Sequence, residues 1–240
     1  MDEEVKVVSE PIEEVKRPRV IMVATPSLDG RVDVQYANSL LSTTIECWKN
    51  NTAIAPVFIA YDALIQRARN DLFKMAYESD IDEVVFIDGD ISWTPEQFMK
   101  LISHNVDVVG GAYRKKSFQE EYVVRVLPGE TKLKVNKDKL VEVSGLGTGF
   151  VRVSKKVIQE VYESSKDYKQ GDKKSKMVFD IQIAEDGELL SEDIVFSEKI
   201  RSLGYNIYLD PYITCGHTGP VPFYGDLVKW ANINNLIEFE

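Results

Sequence analysis

Apolar and polar positions follow two rhythms along this chain. Short, wholly apolar runs recur at Val20–Ala24, Ala55–Ala60 and Val84–Ile87, and Val106–Val109 follows them with one acid, Asp107. A run apolar throughout suits a parallel strand that is covered on both faces. Between these runs the period lengthens. Residues 33–49 put Val34, Ala37, Leu41, Ile45 and Trp48 on one helical face, and Tyr36 and Trp48 read as core. Residues 62–78 repeat the pattern with Leu64, Ala68, Leu72 and Met75. Thr94-Pro95-Glu96-Gln97 is a helix start, with Thr94 as N-cap, Pro95 at the first position and Gln97 closing a capping box. Phe98, Leu101 and Ile102 then face inward, and His104 ends that helix. Strands alternating with helices predict an α/β fold, Rossmann-like, with a mostly parallel central sheet and helices on both faces.

The second half changes character. Tyr122–Val126, a turn at Pro128-Gly129 and Leu133–Val143 predict an additional small antiparallel sheet. Ser154 caps a helix that buries Val157, Ile158 and Val161, and the lysine-rich stretch 164–176 reads as a surface loop or lid. Ser191 starts a helix that runs to Gly204 and buries Ile194, Phe196, Ile200 and Leu203. Apolar segments Asn206–Leu209 and Tyr212–Cys215 follow, then an amphipathic end with Phe223, Leu227, Trp230 and Leu236. Residues 1–17 are dominated by charge and read as a flexible tail, which leaves 18–240 as a single domain.

Composition narrows the partners. A chain of 240 residues can bury a sizeable core. Its net charge of -10 argues against a nucleic-acid partner, although a small phosphorylated ligand needs only a local cationic pocket. Two isolated cysteines, Cys47 and Cys215, make no disulfide framework and fit a reducing, cytoplasmic setting. No apolar run approaches the ~18–20 residues that a membrane span requires.

The chemistry gathers at Asp88-Gly89-Asp90, at the end of an apolar run. Two carboxylates there suit a hard divalent cation such as Mg²⁺ or Mn²⁺, or they belong to a solvated turn. Ligands of open α/β sheets bind beyond the carboxyl ends of the strands. The polar loop Thr25-Pro26-Ser27 after the first strand is therefore where a nucleotide would dock. No glycine-rich dinucleotide or P-loop signature is present. Arg67 and Arg69 offer guanidinium forks to phosphate oxygens, or they make a solvated basic face. Asn70 has the groups to bond a hydroxyl-rich ligand. The basic trio Arg114-Lys115-Lys116 faces phosphate or solvent. Gly147-Thr148-Gly149 is too glycine-rich for a strand interior and either brings bare backbone against a substrate or makes a bulge. Glu192 and Asp193 follow the acid preference of a first helical turn, or they present a catalytic carboxylate. His217, between Gly216 and Gly219, is a candidate third metal ligand beside Asp88 and Asp90.

Taken in order, these features resemble the GT-A glycosyltransferases over residues 18 to about 219. Arg67-Ala68-Arg69-Asn70, Asp88-Gly89-Asp90, Leu101-Ile102-Ser103-His104 with Asp107-Val108-Val109, and the 191–204 helix are similar to the small glycosyltransferases of phages and chlorella viruses. The fungal mannan mannosyltransferases are a more distant likeness. They carry a membrane anchor that this chain does not show, so their Golgi placement is not implied, and a viral type implies the host cytoplasm. The resemblance implies a nucleoside-diphosphate-sugar donor and a glycan or other hydroxyl acceptor. It implies Mn²⁺ or Mg²⁺ on Asp88, Asp90 and His217. Thr25, Pro26, Ser27, Arg67, Arg69, Asn70, Asp88 and Gly89 would lie on the donor side. Gly147, Thr148 and Gly149 would lie on the acceptor side, with Asp193 and Glu192 as catalytic carboxylates. Two other readings compete. A haloacid-dehalogenase-like phosphatase also uses a strand-end Asp-x-Asp, but on its first strand. A non-catalytic sugar- or nucleotide-binding module would need the same pocket without the base.

Overall fold

The computed structural model describes residues 17–239. The expected tail therefore lies outside the described residues, except Arg17, whose guanidinium pairs with Asp80 and Asp82.

The chain opens with β1 (Arg19–Ser27), α1 (Val34–Lys49), β2 (Thr52–Ala60), α2 (Ile65–Glu78) and β3 (Glu83–Ile87). The short β4 (Ile91–Ser92), α3 (Pro95–Ser103) and β5 (Val108–Tyr113) follow. Next come four small strands, β6 (Val124–Arg125), β7 (Leu133–Val135), β8 (Val141–Val143) and β9 (Gly145–Leu146), and then β10 (Phe150–Ser154) and α4 (Lys155–Ser164). Two hairpins, β11 (Asp167–Gln170) with β12 (Lys173–Lys176) and β13 (Gln182–Ile183) with β14 (Leu189–Leu190), lead to α5 (Glu192–Ser202). The chain closes with β15 (Ile207–Thr218), β16 (Pro222–Phe223), α6 (Leu227–Ile233) and β17 (Ile237–Phe239).

The main sheet runs β17-β7-β8-β15-β5-β10-β3-β1-β2, with β16 and β4 attached to β15. β1 is parallel to β2 and β3, and β5 is parallel to β15. Only β10 is reversed among the central six strands, pairing antiparallel with β3 on one side and β5 on the other. The expected mostly parallel α/β sheet with small antiparallel additions is what forms. One core, with α2, α4 and α5, covers one face through Leu72, Phe73, Ile158, Val161 and Phe196; a second, with α1 and α3, covers the other through Tyr36, Phe98 and Leu101. Among the described residues, no helix is long and apolar enough to cross a membrane.

Helix α1 keeps its expected period but not its phase. Val34, Leu41, Ile45 and Trp48 are exposed, Trp48 at 79%, while Tyr36, Ser39, Thr43 and Cys47 are buried. Trp93 explains the rotation. Its carbonyl accepts from the Ser39 hydroxyl at 2.7 Å, and its indole N–H donates to Thr43 Oγ1 at 2.8 Å. Two buried hydroxyls satisfied by one tryptophan favour that face over an apolar stripe. The 164–176 stretch is an antiparallel hairpin rather than a loop, with Asp167 opposite Lys176 and Gln170 opposite Lys173. Gly110 and Gly111 lie inside β5, and a Cβ on Gly111 would stand 2.5 Å from the Ile213 side chain, so they serve strand packing. The two late apolar segments are one strand, β15, bulged between Asp210 and Thr214. Asp210 is fully buried there and accepts from Lys100 at 2.7 Å, with His104 Nε2 at 2.8 Å. His104 is thus the expected helix-end histidine.

Candidate functional site

A cleft of about 640 Å³ opens at the carboxyl ends of β1 and β3. Its walls include Pro26 and Ser27 with the loop to Asp33, the Asp88-Gly89-Asp90 turn, Lys116, and His217 to Gly219 from the end of β15. The loop is tied down by its own polar groups. Ser27 Oγ donates to the Arg31 carbonyl at 2.7 Å, and the Asp33 N–H donates to the Gly89 carbonyl at 2.7 Å. Gly89 is a glycine where the loop comes close, since a Cβ there would meet Val32 at 3.2 Å. Thr25 does not reach the cleft. It is fully buried and pairs its hydroxyl with Tyr36 at 2.5 Å, while burial pushes the Tyr36 phenol up to about 12.

The two aspartates of the turn part company. Asp88 Oδ1 accepts from Arg69 Nη2 at 2.8 Å, and Arg69 Nη1 reaches Glu192 Oε1 at 2.5 Å. Arg69 is 5% exposed and bridges α2, the end of β3 and the start of α5. Burial works against its charge, but the two carboxylates outweigh burial and raise its pKa further. Asp90 instead faces Lys116 through Oδ2 and His217 through Oδ1, the imidazole Nε2 lying 3.4 Å away. Burial raises the Asp90 pKa, yet the contacts to His217 and Lys116 prevail and hold it below the ordinary carboxylate value. Oδ1 is buried and accepts no hydrogen bond.

His217 Nδ1 lies 2.7 Å from the Arg114 carbonyl, an acceptor, so the proton belongs on Nδ1. In the neutral ring this leaves the Nε2 lone pair facing Asp90, the arrangement in which histidine ligates a metal. Among the described residues, no three His, Cys, Asp or Glu side chains form a ready-made metal centre. Asp90 and His217 are brought together, and Asp88 is turned to Arg69.

Several expected site residues have other partners. Arg67 is held by Asp62 through two hydrogen bonds of 2.6 Å and does not line the cleft. Asn70 is buried. Its Oδ1 accepts from Val178 and Phe179 N–H at 2.9 and 2.7 Å, and its Nδ2 donates to the Phe179 carbonyl at 3.0 Å, so it clamps backbone instead of binding a ligand hydroxyl. Gly147, Thr148 and Gly149 are buried, not open to an acceptor. A Cβ on Gly147 would lie 2.1 Å from the Tyr113 hydroxyl, and one on Gly149 would lie 2.8 Å from its ring. Bare backbone is needed there to admit Tyr113, whose hydroxyl accepts from the Gly149 N–H at 3.1 Å. Burial, then Asp88 and, more weakly, Asp193 push that phenol far above its usual pKa. Tyr113 is the site residue that motif reading missed, whereas Lys116, one of the basic trio, lines the cleft and meets Asp90. Tyr113 ends the central strand β5, the position that could have flagged it.

At the start of α5, Glu192 is committed to Arg69. Asp193 Oδ1 accepts from the Ser191 hydroxyl and, at 2.9 Å, from the Ile194 N–H. Ser191 therefore spends its hydroxyl on Asp193 and makes no side-chain cap.

No protein-family model matches the chain, and no curated protein sequence matches it. Among solved structures it is similar to A197 from STIV, at 20% identity and a TM-score of 0.52 over 84% of this chain and 86% of that one. That likeness shows a shared fold. Two looser overlaps, each at 10% identity, carry no argument for this chain. One is a glycosyltransferase involved in glycosylation of the major capsid of PBCV-1, with a TM-score of 0.34 over 60% of this chain and 63% of that one. The other is the inositol-1-phosphate CTP transferase from T. maritima, with a TM-score of 0.43 over 88% and 90%.

Proposed function

We propose that this chain is a glycosyltransferase that moves a sugar from a nucleoside-diphosphate donor to an acceptor hydroxyl, with Mn²⁺ or Mg²⁺ held by Asp90 and His217. One observation carries the reading: the loop after β1, the Asp88-Gly89-Asp90 turn and His217 share a single cleft. Charge supports a metal. Asp29, Asp33, Asp88 and Asp90 line that cleft against the cations Arg31 and Lys116, so a diphosphate entering alone meets net repulsion. The donor set also fits, because the orphaned Asp90 Oδ1 and the lone pair of His217 Nε2 face the same point. A bound divalent cation supplies Lewis-acid stabilisation of the charge that develops on the departing diphosphate.

The chain's own groups do the rest. Leu28, Val32 and Ile65 give the cleft an apolar wall suited to the flat face of a base. Arg69 holds Asp88 in place. Asp193 accepts no hydrogen bond at Oδ2, which is the oxygen left to receive a proton. In a direct attack, the acceptor oxygen bonds to the anomeric carbon as the carbon–oxygen bond to the diphosphate breaks. The electron pair leaves with the diphosphate, and the acceptor proton passes to Asp193.

A thermal-shift panel of nucleoside diphosphates and their sugars, with Mn²⁺ and with EDTA, tests this reading. Stabilisation by one nucleotide class that EDTA abolishes is expected, because a ligand of the folded state raises the midpoint by mass action. No response to any nucleotide overturns it. Asp193→Asn is expected to keep donor binding and to lose about 100-fold or more in turnover. Binding with no turnover in either protein favours a non-catalytic binding module.

A further inference from the structure

A lysine also lines the cleft, and neither the sugar transfer nor the holding of the cation uses it. Lys116 sits on the segment between β5 and β6, and its ammonium contacts Asp90 Oδ2. Its stem lies over the Thr218-Gly219 turn, where a Cβ on Gly219 would meet Lys116 Cδ at 3.2 Å. Thr218 in turn donates its N–H to the Asp90 carbonyl at 2.8 Å. The ammonium therefore stands against the one carboxylate whose other oxygen faces His217. Its side chain is 37% exposed.

A carboxylate shared between an ammonium and a divalent ion sets two cations within a few ångströms of each other. Their repulsion weakens both contacts. A diphosphate removes the conflict by giving the ammonium its own anion. We propose that Lys116 is an internal counter-cation. It holds Asp90 while the cleft is free of metal, yields that carboxylate to a divalent cation entering between Asp90 and His217, and then pairs with the donor's diphosphate. Lys116 thereby opposes metal alone and favours metal together with diphosphate. The inference rests on the metal-dependent transferase reading.

The two steps have opposite signs, and binding reads both without turnover. Lys116→Met keeps the stem that packs on the Gly219 turn and removes the charge. Mn²⁺ affinity, followed by the electron paramagnetic resonance signal of the free ion, is expected to rise about fivefold in this variant, the scale of an exposed ion pair. Affinity for preformed Mn²⁺–pyrophosphate, followed by calorimetry, is expected to fall by a similar factor. Lys116→Arg keeps the competing charge and is expected to bind Mn²⁺ like the wild type. If Lys116→Met binds Mn²⁺ no more tightly than the wild type, or loses no affinity for Mn²⁺–pyrophosphate, the counter-cation role is overturned while the metal site stands. If the wild type binds no Mn²⁺, or Asp90→Asn and His217→Ala leave its binding unchanged, the metal reading falls and takes the lysine role with it.

Discussion

Replacing Arg69 by methionine removes the one cation between Asp88 and Glu192. The side chains of the three are 6%, 27% and 15% exposed, so solvent screens the loss only in part. Breaking a buried pair by deleting one partner costs about 3–5 kcal/mol, because the other charge stays behind without compensation. Unfolding entropy of about 2.1 cal/mol/K per residue gives roughly 0.5 kcal/mol/K for a chain of 240 residues. The expected fall in Tm is then about 6–10 °C, measurable by scanning calorimetry in metal-free buffer. A second substitution makes the reasoning specific. Glu192→Gln alone should destabilise, since it takes a partner from Arg69. In the Arg69→Met background it should stabilise by about 1 kcal/mol, since it removes one of two unpaired carboxylates. An Arg69→Met protein that melts within about 2 °C of wild type, or a Glu192→Gln effect with the same sign in both backgrounds, refutes the bridge as described.

Other expectations are as direct. Gly147→Ala should cost about 1–3 kcal/mol by overpacking against the Tyr113 hydroxyl. Adding Tyr113→Phe, which deletes that atom, should recover part of the loss in urea titrations, and no recovery would place the strain elsewhere. Asn70→Ala should leave the Phe179 N–H without an acceptor and Val178 with only the Lys176 carbonyl, costing about 1–3 kcal/mol and speeding amide exchange there, most at Phe179. If nucleotide binding fails in Asn70→Ala while exchange there is unchanged, Asn70 is a ligand-binding residue after all. The depressed pKa of Asp90 gives an acid-side signature. Its stabilising contribution is present above the unfolded value near 4 and is lost as pH falls through the lower folded value. Asp90→Asn should lack that loss, so Tm curves of the two proteins taken without metal from about pH 5 to 2 should converge toward the acid end. At 38% side-chain exposure the whole effect should stay under about 1 kcal/mol, and parallel curves would contradict it.

The order of strands and helices was legible because it depends on local rhythm. Val84–Ile87 and the Thr94–Gln97 capping box announce themselves without any partner. The phase of α1 was not legible, because Trp93, some 50 residues away, decides it by bonding Ser39 and Thr43. Residue types at the site could be read, but their allegiances could not. Arg67 and Arg69 look alike in a string, yet Asp62 claims the first and two carboxylates claim the second. Gly147 and Gly149 signalled close approach correctly. That the approaching group is a phenol of the same chain depends on a contact 34 to 36 residues away.

The reversed strand β10 has a consequence for how the molecule comes to exist. Sheet order places it between β3 and β5, so β3-β1-β2 joins β5 and β15 in the main sheet through its ladder, with the short β4–β15 pair beside it. A nascent chain cannot form that ladder until Phe150–Ser154 has left the ribosome, and long-range closure of this kind is slow. Truncating a side chain such as Val153 should therefore lower the refolding rate more than it raises the unfolding rate, as stopped-flow kinetics would read it. Until that strand is seated, β3 and β5 lack the neighbour they share, and the sheet beneath the cleft stays open.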